Sequence, residues 1–350
     1  MGLMIKMFAF PRKKSVFKIT IDTTKIVSGA TNGSENPLTF RIPMELPNIN
    51  NACIIRVSDG RSDISISATT PSSAGLLTFA SSGIYTITII GKVGLFNVGG
   101  TTGGVSYGYD KNKIMYVDNW GYAVNFMNGT TGAFDGCVNM TVRATNTLVL
   151  PVNSNDFFRS IKGFDTSLTL LDTSKCTTAQ RILATVMTVQ KGTLNPFWKS
   201  IVSFISVYNA NTFATDVDRI EIISDTLETL NDPWALVTFQ NTGTIRLICK
   251  TPNLKTIFRI YRNGQARTRC HLGEVDVRNV TTTTGWANGG MTPAQVDPTL
   301  LGWANNLPFM QAGVTWDWGG STYSNNPAVI AAYNKITVTW GVIFTNLTMA

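Results

Sequence analysis

A chain of 350 residues that carries chemistry must build it from a small set of reactive groups, and here that set is sparse. His271 is the only histidine, in "TRCHLGE", so a Ser/His/Asp or Cys/His nucleophilic site has one base to use. Its partners there are neighbours in sequence only, and a polar residue on a turn is the expected role. Acids cluster once, at Asp216, Asp218, Glu221, Asp225 and Glu228. Two facing carboxylates are what glycoside hydrolysis requires, one to protonate the leaving oxygen and one to attack or to activate water. Asp218 and Glu221 differ in strand parity and therefore leave a strand on opposite faces, so a solvated rim is expected. The segment "DVDR" lacks the spacing of a calcium loop. Cys53, Cys137, Cys176, Cys249 and Cys270 are odd in number, widely spaced and without a CxxC pair. That argues against a disulfide framework and a zinc site, and for buried thiols in a protein completed in a reducing compartment. The glycines of "NVGGTTGGVSYGYD" sit in no phosphate-binding context and read as a surface loop. The expectation is a protein without catalysis, metal or cofactor.

Recognition remains. Trp316, Trp318 and Tyr323 offer rings on which sugars can stack, and Arg246, Arg259 and Arg278 add a basic stripe. The net charge is +8, and its one tight cluster is Arg12, Lys13 and Lys14. No zinc-finger, helix-turn-helix or RNP pattern accompanies these cations, so a nucleic-acid partner is not expected. An acidic protein or a glycan surface is.

The elements that must position these residues announce themselves by period. Val142 and Ala144, Leu168 and Leu170, Leu194, Ile220 and Ile222, Ile245 and Leu247, and Val275 and Val277 recur as short alternating segments. The first four steps are 25 to 26 residues and the last is about 30, an interval typical of a leucine-rich-repeat solenoid that adds one strand per repeat. Earlier in the chain "FKITID", "LTFRIP", "ACIIRVSD", "SDISISA", "GLLTFA" and "YTITIIG" alternate between Gly, Asn and Ser clusters, as β-sandwich strands do. Charged residues are only 14%, which suits a rigid β protein with polar but uncharged faces. No run of 18 apolar residues is present, so no membrane-spanning helix is expected, and no export signal is recognised at the start.

Three stretches carry a family resemblance. "FKITIDTT", "LTFRIPM", "IIRVSDGRS" and "ASSGIYTITIIG" resemble the PKD-like domain that precedes leucine-rich repeats in BspA-type surface proteins. The Trp-Gly-Asp-Gly turn of that family stands here as Val57-Ser58-Asp59-Gly60, so only its second half is kept. Phe134, Gly136 and Cys137 match the Phe-x-Gly-Cys element of the opening repeats. Later repeats keep only the aromatic residues Phe157, Phe158, Phe197 and Trp198, which are expected to fill the convex side. The last sixty residues resemble the closing cap, with Asp297 capping a helix that has Pro298 at its first position. Asn326 and Pro327 are expected to start a second helix.

Residues 1–16, apolar then basic, read as an anchoring arm or a frayed terminus, and 96–112 as a Gly-rich linker; the resemblance implies a PKD/Ig-like β-sandwich (17–95), a parallel leucine-rich-repeat solenoid (113–290) and an α/β cap (291–350). It also implies adhesion or surface recognition. An adhesin architecture with no export signal fits a bacteriophage virion protein: a spike, fibre or decoration protein on the particle surface. Its expected partners are other virion proteins, through the arm and sandwich, a glycan or protein of the host surface, and further copies of itself. The alternatives are a bacterial cell-surface adhesin and a carbohydrate-active enzyme using Asp218 and Glu221.

Overall fold

The computed structural model describes residues 15–26, 36–46, 48–98, 101–102, 105–106, 110–122, 124–126, 132–166, 168–186, 202–205, 212–213, 219–232, 238–239, 245–260, 270–285 and 290–350. Among them the chain is mainly β, with two α-helices close to the C-terminal end.

The first part is antiparallel. Its strands are β1 (Val16–Asp22), β2 (Thr39–Arg41), β3 (Ala52–Val57), β4 (Ile64–Ile66), β5 (Leu76–Thr78) and β6 (Ile84–Phe96). The alternation of "FKITID" turns Phe17, Ile19 and Ile21 into the core, all fully buried. β6 lies between β1 and β3, with β4 at the edge, while β2 and β5 form a separate antiparallel pair that buries Phe40 and Leu77. A small hairpin follows, β7 (Thr101–Thr102) with β8 (Val105–Ser106).

β9 (Ile114–Asn119) then does two things. It pairs antiparallel with β1 on one side and parallel with β11 (Thr141–Val142) on the other. β10 (Val124–Phe126) returns to pair in parallel with β6. Val57, Ile87, Ile19, Val117, Val142 and Phe164 are successive register partners across six strands, the last in β13 (Gly163–Phe164). The glycine-rich segment 96–112, expected to be a linker, is thus bridged by one continuous sheet. Phe17, Phe96, Trp120, Phe126, Phe134, Phe157 and Phe158 pack as one aromatic cluster beneath this junction; Trp120 lies 5.7 Å from Phe134 and 5.9 Å from Phe158, edge to face. Phe157 and Phe158 are fully buried, as expected of fillers, here in a cluster shared with the antiparallel part; Phe197 and Trp198 lie outside the described residues.

The remaining pairing up to residue 284 is parallel. β12 (Leu148–Val149) pairs with β14 (Leu171–Asp172), and β17 (Thr212–Phe213) with β20 (Thr238–Phe239). β15 (Thr178–Gln180), β16 (Ser203–Ile205), β19 (Thr229–Asn231), β22 (Thr256–Phe258) and β24 (Thr282–Thr284) form a five-stranded ladder. β18 (Arg219–Ile223), β21 (Ile245–Lys250) and β23 (Cys270–Val275) form a three-stranded one. Each interval of about 26 residues therefore feeds more than one ladder.

The periodic reading holds in part. Ile220 pairs with Leu247, and Ile222 with Cys249 and through it Val275, as a repeating strand requires. Val142 pairs with Phe164, not with a strand at Leu168, because the first step is only 22 residues; Leu168–Leu170 is a 3-10 turn instead. Leu194 lies outside the described residues, and Val277 is buried just past its strand.

Side chains lock successive turns together. Asn279 Nδ2 donates to the Pro252 carbonyl and Asn139 Nδ2 to the Asn112 carbonyl, each at 2.8 Å and each across 27 residues. Asp156, Arg181, Asp232 and Arg259 all hold φ near +50°, between 48° and 55°, at equivalent corners. Such backbone costs L-residues about 1–3 kcal/mol each. It is held by bonds to the next turn, Asp156 N–H to Gln180 O at 2.8 Å and Asp232 N–H to Phe258 O at 2.8 Å.

Helix α1 (Pro293–Asn306) has its cap five residues before the expected one. Thr292 is its N-cap, with its N–H and hydroxyl both donating to Gln295 Oε1, and Pro293 takes the first position. Asp297 instead accepts the Ser324 N–H, and Pro298 lies inside the helix. Helix α2 (Pro327–Asn334) starts as expected, Asn326 accepting the Ala328 N–H at 2.9 Å. β25 (Thr315–Tyr323) and β26 (Ile343–Met349) pair in parallel and complete the fold.

Candidate functional site

The most regular surface is the outward face of the five-stranded ladder. Thr178, Ser203, Thr229, Thr256 and Thr282 are register partners, at intervals of 25, 26, 27 and 26 residues. Strand spacing sets about 4.8 Å between neighbours in such a row. In three of these strands the next residue points inward, and Ala179, Leu230 and Ile257 are fully buried there. Burying each of the two larger side chains contributes about 2 kcal/mol, so packing fixes which face carries the hydroxyls. Thr178 and Thr282 are exposed and Thr229 and Thr256 half-buried. Beside them, Lys255 pairs with Glu228 at 2.9 Å across two strands.

At its C-terminal end this row opens into a cleft of about 470 Å³ against the cap. Thr281, Thr282 and Thr283 form one wall and Gln311–Thr315 the other. Thr283 Oγ1 closes the cleft at one point by donating to the Thr315 carbonyl, and Gln311 Nε2 is held by the Arg278 carbonyl at 3.2 Å. The lining is hydroxyl, amide and methyl, with no charged side chain. Such a wall donates and accepts hydrogen bonds without attracting either sign of charge.

The expected aromatic platform is corrected. Trp316 and Trp318 are 1% and 0% exposed and pack on Trp303 at 5.1 and 6.1 Å. Both point the same way from β25, and that way is the core beneath α1, so neither ring can stack on a ligand. Tyr323 keeps partial exposure, stacked on Tyr333 at 5.0 Å, with Phe344 5.8 Å from Tyr333. Beside Trp340 and the exposed Phe309, the rings of the cap left partly open are Tyr323, Tyr333 and Phe344. Two of these were missed because they come from α2 and β26, whose packing no local pattern reveals. Arg12, Lys13 and Lys14 lie outside the described residues.

The basic stripe is largely compensated. Arg246 makes a two-point ion pair with Glu274, at 2.6 and 2.8 Å, Arg278 bonds Asp276 at 2.9 Å, and Arg259 lies over the Phe258 ring at 4.6 Å. His271 is the register partner of Arg246. Burial holds its imidazole below the ordinary value, against the upward pull of Glu274, and Arg246 adds a further downward push. Glu221 is 3.8 Å from Arg219; Asp216 and Asp218 lie outside the described residues. All five thiols are free and buried, and burial raises the pKa of each, that of Cys53 to about 11 and that of Cys249 to about 12. Among the described residues no three His, Cys, Asp or Glu side chains converge as a metal site would need.

Buried charge serves the fold instead. Asp135, Arg159, Asp156 and Arg181 alternate in sign along successive turns, with Arg159 Nε 2.8 Å from Asp135 and Arg181 2.9 Å from Asp156. Burial raises the Asp156 carboxyl above the ordinary range, against the pull of both arginines. Lys113 is fully buried; its Nζ meets Asp110 at 2.9 Å and the carbonyls of Asn36 and Thr39 at 2.8 Å each. Asp110 in turn accepts the Arg41 N–H at 2.7 Å, so this pair fastens β2 to the start of β9.

No family model matches the chain, and neither the curated proteins nor the solved structures contain a match to it.

Proposed function

We propose that the protein is a non-enzymatic recognition and structural protein of a bacteriophage particle: a spike, fibre or decoration protein. In this reading residues 1–16 and an N-terminal PKD-like sandwich hold it to other virion proteins. A leucine-rich-repeat solenoid with an α/β cap presents a binding face to the host surface. One observation carries the recognition half of the reading: Thr178, Thr229, Thr256 and Thr282, aligned on one parallel ladder, opening into an uncharged cleft. Hydroxyls at a fixed spacing on a rigid sheet are preorganised partners for a polymer with many hydroxyls or amides of its own, and a host glycan is that kind of polymer. Acids that are salt-bridged, such as Glu228 and Glu274, support binding over catalysis.

The test has two arms. Thr229→Val, Thr256→Val and Thr282→Val together remove three hydroxyls while keeping shape and strand preference. They should abolish binding to host-surface glycans with no change in thermal midpoint; unchanged binding overturns the face assignment. Deleting residues 1–16 should leave a soluble protein that no longer enters particles. Normal incorporation, or the wild-type protein found on bacterial cells and not on particles, overturns the virion assignment and favours a cell-surface adhesin.

A further inference from the structure

Sheet ends are where a β protein meets other chains, because an edge strand presents unpaired N–H and C=O groups. Three ends of the described sheets can be compared. β4, at the edge of the eight-stranded sheet, is only three residues long. It is preceded directly by Asp63, which is in an ion pair with Arg56 at 2.7 Å. A short strand beside exposed charges is a protected edge. β23 ends the three-stranded ladder, and α1 seals it: Thr299 accepts the Leu272 N–H and Trp303 donates to the Leu272 carbonyl.

β26 has neither protection. It is seven residues long, contains no Lys and no Pro, and pairs with β25 on one side while no described strand lies on the other. The Ile343 N–H donates to Val314 O at 3.0 Å and the Ala350 N–H to Tyr323 O at 2.8 Å, so those residues face β25. By alternation Phe344 and Met349 direct their main-chain groups to the open side. Around this edge Val338, Ile343 and Met349 are 78%, 47% and 54% exposed. No charged side chain occurs from Ile336 to Ala350.

That neutrality selects the occupant. The chain carries +8, so an acidic partner would be drawn to its cations and would gain nothing here. Two copies of a +8 chain repel, and they approach best through a surface free of charge. In a twofold antiparallel contact residue i of one copy faces residue j of the other and j faces i, so any charge on the strand is met twice, and the uncharged side chains of β26 set no like charges against each other. We propose that β26 pairs antiparallel with β26 of a second copy, joining two β25–β26 sheets into one of four strands. Asn346, at φ 55°, interrupts the strand and divides the contact into two short runs, Ile343–Thr345 and Leu347–Met349. The resulting interface is small, and the dimer depends on concentration.

Sedimentation of the full chain across about 1–100 μM should show a shift from 38.1 kDa to twice that mass. Ile343→Lys with Met349→Lys sets cations against each other at both ends of the contact and should leave a monomer throughout, with the thermal midpoint unchanged. Ile49→Lys, at an exposed apolar site in the antiparallel part, should still dimerise. Single cysteines placed in turn at Ile343, Thr345, Leu347 and Met349 should give one homodisulfide, at the residue nearest the axis. A wild-type mass of 38.1 kDa at every concentration, a dimer that survives the double substitution, or assembly beyond two copies would each overturn the proposal.

Discussion

Trp303 donates its indole N–H to the Leu272 carbonyl at 2.8 Å, and Thr299, one helical turn away, accepts the Leu272 N–H at 2.9 Å. A helix thereby satisfies both main-chain groups of an edge residue that would otherwise seek another strand. Trp303→Phe keeps most of the ring and strands a buried carbonyl, so a loss of about 1–3 kcal/mol is expected in denaturant unfolding. A variant as stable as the parent would show that packing alone seals the edge.

The same docking depends on two glycines. A Cβ on Gly302 would sit 2.3 Å from the Cα and the carbonyl oxygen of Gly273, and both are main-chain atoms that cannot swing aside. Gly→Ala in a helix ordinarily stabilises by about 1 kcal/mol. At Gly302 the sign should reverse, with faster amide exchange along Cys270–Val275 as the helix backs away.

Lys113→Met removes a fully buried cation and leaves Asp110 and two carbonyls without it. Breaking a buried pair from one side costs about 3–5 kcal/mol. Adding Asp110→Asn, which keeps an acceptor for the Arg41 N–H, should recover part of that loss. A double variant no more stable than the single one would show that the charge on Asp110 is not what suffers.

The sole histidine gives a clean pH reading. His271 is held below its ordinary value of 6.5, first by burial. Between its folded value and about 6.5 the unfolded chain binds more protons, so stability should rise with pH across that window and be lost as pH falls through it. Arg246→Gln removes a repulsive neighbour and leaves Glu274 to pull upward. The imidazole titration followed by NMR should then move up, and the pH slope should flatten. A titration midpoint above 6.5 in the parent protein would contradict the burial described.

Much of the architecture is legible in particular residues. Ile220, Ile222 and Leu247 state the repeat because their burial is periodic, and Asn326-Pro327 states a helix start because the signal is local. The start of α1 was misread for a related reason: Asp297-Pro298 is a stronger local cap signal than Thr292-Pro293. What selects Thr292 is the docking of Thr299 and Trp303 on β23, and that contact lies outside the segment. Trp316 and Trp318 share a face at i and i+2, but alternation alone cannot say which face looks inward. That choice was made by Trp303, thirteen residues upstream. Truncating either to Ala should therefore cost about 3–5 kcal/mol of stability, measured by denaturant unfolding. The double pairing of β9 was invisible because it joins Ile19, Val117 and Val142, residues separated by most of the first half of the chain.

That double pairing has a mechanical meaning. Because β9 is hydrogen-bonded to β1 on one edge and to β11 on the other, the antiparallel part and the first parallel strands, β11 and β13, share one uninterrupted sheet. A pull applied between Val16 and β13 is carried by the main-chain bonds between these strands. It must shear β1 from β6 and β9 together, breaking many main-chain bonds at once. Under tension this shared sheet should yield in a single high-force event when β1 gives way.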